Sequence, residues 1–329
     1  MAITTIEQAI EAYLNTITTS RSENTARTYR NGLKKFSELL VVRNLSPKKT
    51  SVEKLPEDAV AWFASMLKVY SSATEHLYLT ALKGFYEFLA AEKLSSPNLP
   101  RVNLLIRQRS RRLGIRLPQF PRYDIEHVIE HAINIAYQPV DNPTDRLRNL
   151  RDRAFLITLA DTGLRVHEAC NLRRGDIDWN NGQAIVIGKG NREAIVRFSQ
   201  RSLRTLKDYL STRAALDGGS GKSLSSLPVF ARHDKRVSNK ILPMTTKTGR
   251  KIVEIRVEEA LGKEAVGTIT PHSFRHYFVT TVLLSSGNLK LAQELARHKN
   301  IDVTQRYAHL SDDELDQGYH EIFNNRPSK

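Results

Sequence analysis

A chain of 329 residues is long for a single core and predicts two domains, and its 40% hydrophobic content suffices for packed interiors. Fifty Lys and Arg against 35 Asp and Glu leave a net charge of +15, which points to a polyanionic partner such as nucleic acid. No apolar run reaches the roughly 20 residues of a membrane span, residues 1–14 do not read as a signal peptide, and the single Cys170 excludes an internal disulfide or a Cys-rich zinc module, so the expectation is a soluble cytoplasmic protein with no membrane partner.

Residues 1–97 read as a helical domain. "TTIEQAIEAYLNTI" carries Ile6, Ile10, Tyr13 and Leu14 at helical spacing. "SENTARTYRNGLKKFSELL" offers Ser22 or Asn24 as a cap and then Tyr29, Leu33, Phe36, Leu39 and Leu40 on one face. "PEDAVAWFASMLKVY" begins with Pro56 and two acids, a favoured first turn. "SATEHLYLTALKGFYEFLAAEKL" continues the pattern through Leu82, Phe85 and Leu89. These four helices make a small bundle. Its polar faces carry Arg27, Arg30, Lys34, Lys35 and Lys83, which suit either solvent or phosphate.

Residues 98–120 change character. The stretch "SSPNLPRVNLLIRQRSRRLGIRLPQFPRYD" has four prolines and many arginines, Arg109, Arg111 and Arg112 among them, and no acid before Asp124. It reads as a basic interdomain linker able to track a nucleic-acid backbone.

Residues 121–329 read as mixed α and β. "LRNLRDRAFLITLADTG" predicts an amphipathic helix ending at Gly163, and "GQAIVIGKGNREAIVRFS" predicts two strands around a turn at 188–191. "SLRTLKDYLSTRAAL" is helical, "DGGSGKSLSS" a loop and "LPVFARHDKR" a short strand. "TPHSFRHYFVTTVLLSSG" is a helix capped by Thr270 with Pro271 first, "NLKLAQELARHK" is the next, and "SDDELDQGYHEIF" is a last short helix, at 312–325.

Several motifs fail on inspection. "GGSGKS" would need glycine at 216 for a phosphate loop and has Leu216. His272 and His276 are one turn apart, but Ser273 stands where a zinc peptidase needs glutamate. His167 and Cys170 are two ligands without partners, and Cys170 fits a buried apolar position.

Other residues carry chemistry. His272 and Arg275 share one face in the first turns of a helix, where free N–H groups and the helix dipole favour an anion. Arg165 follows the helix end at Gly163, and Glu168, three residues on, could hold its guanidinium. Each pattern also fits a capped helix with surface charges. Tyr307 adds a question, because it stands among Thr, Gln, Arg and His rather than in an apolar core, nine positions after His298.

"TGLRVHEACNL", "IGKGNRE", "TPHSFRHYF" and "ARHKNIDVTQRYAHL", in that order, resemble the tyrosine recombinases, the phage integrase and Xer-like family. The match spans about residues 150–312, and "SENTARTYRNGLKKFSELL" with "YLTALKGFYEFL" resembles the family's SAM-like core-binding domain. The fold implied is mainly α with a small antiparallel β-sheet: a helical bundle followed by an α+β catalytic domain. By the resemblance, the catalytic residues are Arg165, Lys189, His272, Arg275, His298 and the nucleophile Tyr307. One departure is visible. The family usually has Gly before the second histidine, and this chain has Arg297, so a different local turn is expected.

The resemblance implies cleavage and rejoining of duplex DNA through a 3′-phosphotyrosyl link, with no cofactor and no metal. Its implied partner is DNA with an inverted-repeat site, bound near the nucleoid by a homotetramer that exchanges C-terminal helices, with bundle and catalytic domain clamping the duplex. The first bundle helix starts close to residue 1, which favours a simple Xer-like or transposon-borne enzyme without an arm-binding domain. Two alternatives share the fold. A type IB topoisomerase would nick and close alone, and a non-catalytic DNA-binding protein would have no reason to keep all six residues.

Overall fold

The computed structural model describes residues 4–111, 121–188, 192–234, 240–298, 300, 301 and 304. The chain divides into two compact units, Met1–Arg116 and Leu117–Lys329.

The first unit contains α1 (Ile6–Ser20), α2 (Glu23–Val42), α3 (Asp58–Met66), α4 (Ser72–Ala91) and α5 (Leu99–Arg109). Side-chain caps set the starts of α1, α2, α4 and α5. Thr5 and Gln8 form a reciprocal capping box, Ser22 accepts from the Thr25 N–H at 3.3 Å, and Ser71 accepts from the Thr74 N–H at 3.2 Å. The apolar stripes meet in a core that includes Tyr13, Leu33, Phe36, Phe63, Leu82, Phe85 and Leu89.

The fifth helix corrects the linker expectation for its first half. Asn98 caps it by accepting from the Arg101 N–H at 3.0 Å, and Pro100 sits in the first turn, where its missing N–H costs nothing. Val102 is buried against the bundle. The segment after it is tied down by Glu75, a buried carboxylate. Lys68 lies 2.7 Å from it, and Arg111 donates through its backbone N–H at 2.9 Å and its Nε at 2.5 Å. Burial pushes the Glu75 carboxyl up, but Lys68 and Arg111 overcome that and hold it below the usual range.

The second unit contains α6 (Arg122–Tyr137), α7 (Pro143–Thr162), α8 (Val166–Asn171), β1 (Ile177–Asp178), β2 (Gln183–Gly188), β3 (Arg192–Arg197), α9 (Gln200–Thr212), α10 (Ala214–Gly218), α11 (Thr246–Leu261), α12 (Pro271–Ser286) and α13 (Leu289–Ala296). The strands form one antiparallel sheet in the order β1-β2-β3, with Ile185 opposite Ile195. Ala184 and Val186 face the core, while Ile185 and Ile187 face out, as the two-residue period requires. The stretch "LPVFARHDKR", 227–236, expected as a short strand, instead makes two isolated bridges among its described residues, Arg173 with Pro228 and Ala231 with Pro243.

Helix α7 is the centre of this unit and packs against α6, α9 and α12. The amphipathic expectation fails for it, because every residue from Leu150 to Ala160 is buried. Its charges are tolerated because they are paired: Asp152 binds Arg151 at 2.7 Å and Arg256 at 2.7 Å, and Arg153 binds Asp208 at 2.8 Å. Gly249 lets α11 approach α8, since a Cβ there would lie 2.9 Å from Phe155 and 3.0 Å from Val166. Cys170 is buried, as its apolar neighbours predict. Among the described residues no helix is long and apolar enough to cross a membrane.

Candidate active site

The site is built where α7 stops. Gly163 ends that helix at φ 60°, a left-handed conformation in which a Cβ would also lie 2.4 Å from Phe278. The reversal brings Arg165 to the start of α8. Its backbone N–H donates to Glu168 Oε2 at 2.9 Å and its Nη1 donates to Glu168 Oε1 at 2.9 Å. Glu168 therefore holds this arginine by both main chain and side chain. The guanidinium remains partly exposed while the carboxylate is buried.

Helix α12 enters the same place. Thr270 precedes it, with its N–H donating to Ser273 Oγ at 3.0 Å, and Pro271 fills the first position. His272 and Arg275 follow in its first turns. Arg275 is only 2% exposed. It donates to the carbonyls of Gly163 and Ala296, and so joins the end of α7 to the end of α13. Arg165, His272 and Arg275 all line one open cleft of ≈ 670 Å³, together with His167, Arg250 and Thr270.

His298 follows α13. Its N–H donates to Gln293 O at 3.1 Å, and its Nδ1 lies 2.8 Å from Thr304 Oγ1. Burial, then Arg275 and Arg165, push the His298 pKa down to about 4. Burial, then the same two arginines, also lower His272, and burial, His272 and Arg275 bring His276 to about 4. His272 and His298 are thus neutral hydrogen-bond donors near pH 7, and the formal cations are the arginines.

This has a stability consequence. A histidine whose folded pKa lies below its unfolded value of about 6.5 refuses a proton that the unfolded chain accepts. Stability is then fully present above about pH 6.5 and falls as the pH drops toward 4. The urea midpoint should be lower at pH 5.5 than at pH 7.5, and equal midpoints would contradict these depressed values.

The structure thus brings together Arg165, His272, Arg275 and His298. Lys189 and Tyr307 lie outside the described residues, as do Arg112 and the expected helix at 312–325. The strands that flank Lys189 are present in the expected hairpin register, with Gly188 opposite Arg192. Arg250 and His167 also line the cleft; His167 was weighed only as a metal ligand with Cys170, and Arg250 carried no motif. Arg250 belongs to α11, whose sequence "TKTGRKIVEIRVEEAL" has no conspicuous signal beyond the cap Thr245.

The basic residues of the first unit divide. Arg27, Arg30 and Lys34 are exposed along α2, although Arg27 pairs with Glu23 at 3.0 Å. Lys35 pairs with Glu38 at 2.7 Å and Lys83 with Glu87 at 3.7 Å. Arg109 is exposed, and its carbonyl accepts from Lys68. Arg111, expected on a DNA-facing linker, is committed to Glu75 and the Tyr70 carbonyl, so its first role is to hold the chain on the bundle.

Comparison with known proteins fits this arrangement. The model of the phage integrase family matches residues 129–314, and that of the phage integrase N-terminal SAM-like domain matches residues 10–93. The chain belongs to the phage integrase family. As a family member it is a tyrosine recombinase, an enzyme of DNA recombination. The family resemblance extends over nearly the whole chain. Tyrosine recombinase XerC of Thermodesulfovibrio yellowstonii is 29% identical over 292 residues, 88% of this chain and 86% of its own. Tyrosine recombinase XerC of Staphylococcus aureus is 28% identical over 314 residues, 94% of each chain. Among solved structures, XerH site-specific recombinase bound to palindromic difH substrate has a TM-score of 0.66 at 19% identity, covering 97% of both chains. The Tn1549 transposon integrase in complex with transposon right end DNA has a TM-score of 0.65 at 16% identity, covering 97% of this chain and 99% of that one. At such identities the structural likeness speaks for the fold.

Proposed function

We propose that this recombinase acts on duplex DNA bearing an inverted-repeat site, and that Arg165, Lys189, His272, Arg275, His298 and Tyr307 carry the reaction. The observation that carries the reading is the joint anchoring of Arg165 and Arg275 around the Gly163 turn, with one buried carboxylate, Glu168, beside them. Such a group is net cationic and fixed in place, which suits the non-bridging oxygens of a phosphodiester and the extra charge of its transition state. Neutral His272 and His298 add donors without adding charge.

The reaction balances as two exchanges. Tyr307 Oη attacks the scissile phosphorus, forming a 3′-phosphotyrosyl bond while the P–O5′ bond breaks. The phenol proton leaves to a nearby base, for which His272 is suited, and the 5′-oxygen takes a proton from Lys189. A 5′-hydroxyl from a partner strand reverses these steps. The phosphodiester energy stays in the link, so rejoining needs no nucleotide cofactor.

Arg30 and Lys34, exposed on α2, are proposed to meet the DNA backbone, with Arg27, Lys83, Arg109 and Arg112 adding to the field. Arg111 contributes charge while remaining on Glu75. The XerH and Tn1549 integrase structures, both of protein with DNA, support a duplex partner. Four protomers would assemble on paired sites, with residues 312–325 of each docking on a neighbour.

The test uses duplex selected from a random-sequence library for tight binding. Denaturation in SDS should leave a protein–DNA adduct, with EDTA present throughout. No adduct at any salt concentration, or cleavage that requires Mg²⁺ and leaves no adduct, would overturn the reading. In the same assay, removal of residues after Ser311 should spare binding to one site and abolish the paired-duplex complex. Equal loss of both would mean that the tail packs on its own domain.

A further inference from the structure

The turn that carries His298 holds an arginine where a glycine would be free of strain. Arg297 ends α13 at φ 57°, ψ 43°. Side chains avoid this left-handed region, because the Cβ crowds the following carbonyl. The turn is therefore the one a glycine would make, contrary to the expectation of an altered one. Something must hold a bulky residue there, and the side-chain contacts identify it.

The Arg297 guanidinium is 11% exposed and reaches back over residues 163–168. Its Nη2 donates to Gly163 O at 3.3 Å and to Glu168 Oε2 at 3.1 Å. Both acceptors are shared. The Gly163 carbonyl also accepts from Arg275, and the Glu168 carboxylate also accepts from Arg165. One side chain thus touches the anchors of both arginines assigned to the phosphate, from the residue next to His298. Among the described residues its Nε and Nη1 are buried without a hydrogen-bond partner. A residue retained only to fill space would be apolar at such a place, since buried open donors are costly.

We propose that Arg297 is a positioning residue for the cleavage step. It ties the His298 turn to the Arg165 and Arg275 anchors, and it takes one oxygen of Glu168. Arg165 then shares its carboxylate with a second cation and keeps more of its charge for the phosphate. Two guanidiniums, those of Arg165 and Arg297, share the Glu168 carboxylate, and Arg275 and Arg297 share the Gly163 carbonyl, so the group as a whole favours the additional negative charge of the transition state. Glu168 itself stays ionised: burial pushes its carboxyl up, but Arg297 and Arg165 hold it below the usual range.

This inference rests on the recombinase reading, and one assay separates the two. Binding, melting temperature and the rate of SDS-stable adduct formation are measured for the full chain and for Arg297→Gly, Arg297→Met and Arg297→Lys. Glycine relieves the left-handed strain, so the Arg297→Gly melting temperature should be equal or higher. Its DNA binding should stay within about twofold, while adduct formation slows about 10–100-fold through misplacement of the phosphate ligands. Arg297→Met should be as slow, and Arg297→Lys, which keeps the charge but not the planar fork, should lie between. Adduct formation at the wild-type rate in Arg297→Gly overturns the proposal. So does a rate loss matched by equal losses of binding and melting temperature, which would make the residue merely structural. A wild-type chain that forms no adduct overturns the recombinase reading first, and this inference with it.

Discussion

Tyr307→Phe is expected to bind its DNA site like the wild-type chain and to form no SDS-stable adduct at all. The substitution removes one oxygen and leaves the ring, so packing and charge are unchanged. The hydroxyl is the only atom of that side chain able to bond to phosphorus. A free phenol has a pKa of about 10, and in the proposed reaction the cationic group around Gly163 would favour its ionised form as the proton leaves. No other change to the site should separate binding from chemistry so completely. A covalent band surviving SDS in Tyr307→Phe would mean that another residue is the nucleophile, and the polar setting of "TQRYAHL" would need a different explanation.

The second large effect concerns Lys189, which follows β2 and precedes β3 in sequence. The 5′-alkoxide is a poor leaving group near neutral pH, so its protonation should be worth about 10²–10⁴-fold in rate. Sulfur in place of the bridging 5′-oxygen leaves as a thiolate, because a thiol's pKa is only about 8.5. Lys189→Ala should therefore be slow on normal DNA and largely restored on the sulfur-bridged duplex. Arg165→Ala and Arg275→Ala should not show that rescue, since they are proposed to act on the non-bridging oxygens. Equal slowness of Lys189→Ala on both substrates would make the lysine a DNA-positioning group, and the acid would have to be sought among Arg165 and the histidines.

Much of the site was legible because its residues sit at punctuation. Gly163 after one helical pattern, Thr270-Pro271 before another, and Asn288 after Gly287 are local signals, and each marks a helix boundary in the structure. The hairpin was legible from its alternation around 188–191. Glu168 was found from spacing alone, because i and i+3 on a short helix must meet. What escaped depends on tertiary context. Pro97 and Pro100 look like linker punctuation, yet Pro100 opens a helix whose Val102 finds a place on the bundle. The burial of Arg151, Asp152 and Arg153 could not be read either. Their partners Arg256 and Asp208 are remote in sequence, so α7 looks amphipathic until the whole unit surrounds it. Arg297 looked like a simple loss of glycine freedom. Its side chain's acceptors, Gly163 and Glu168, lie more than a hundred residues away.

The all-round burial of α7 from Leu150 to Ala160 has a consequence for how the chain is made. Its walls are α6, α9 and α12, and Arg275 reaches Gly163 across 112 positions of sequence. In a nascent second unit α7 therefore lacks its α12 wall until residues near 275 have left the ribosome, and its closing contacts carry the loop-closure delay of distant pairs. The first unit is different. Its helices are consecutive, and the Glu75–Arg111 ion pair that pins its last segment spans only 36 positions. It can close during synthesis, while the second unit must wait for nearly all of its own sequence.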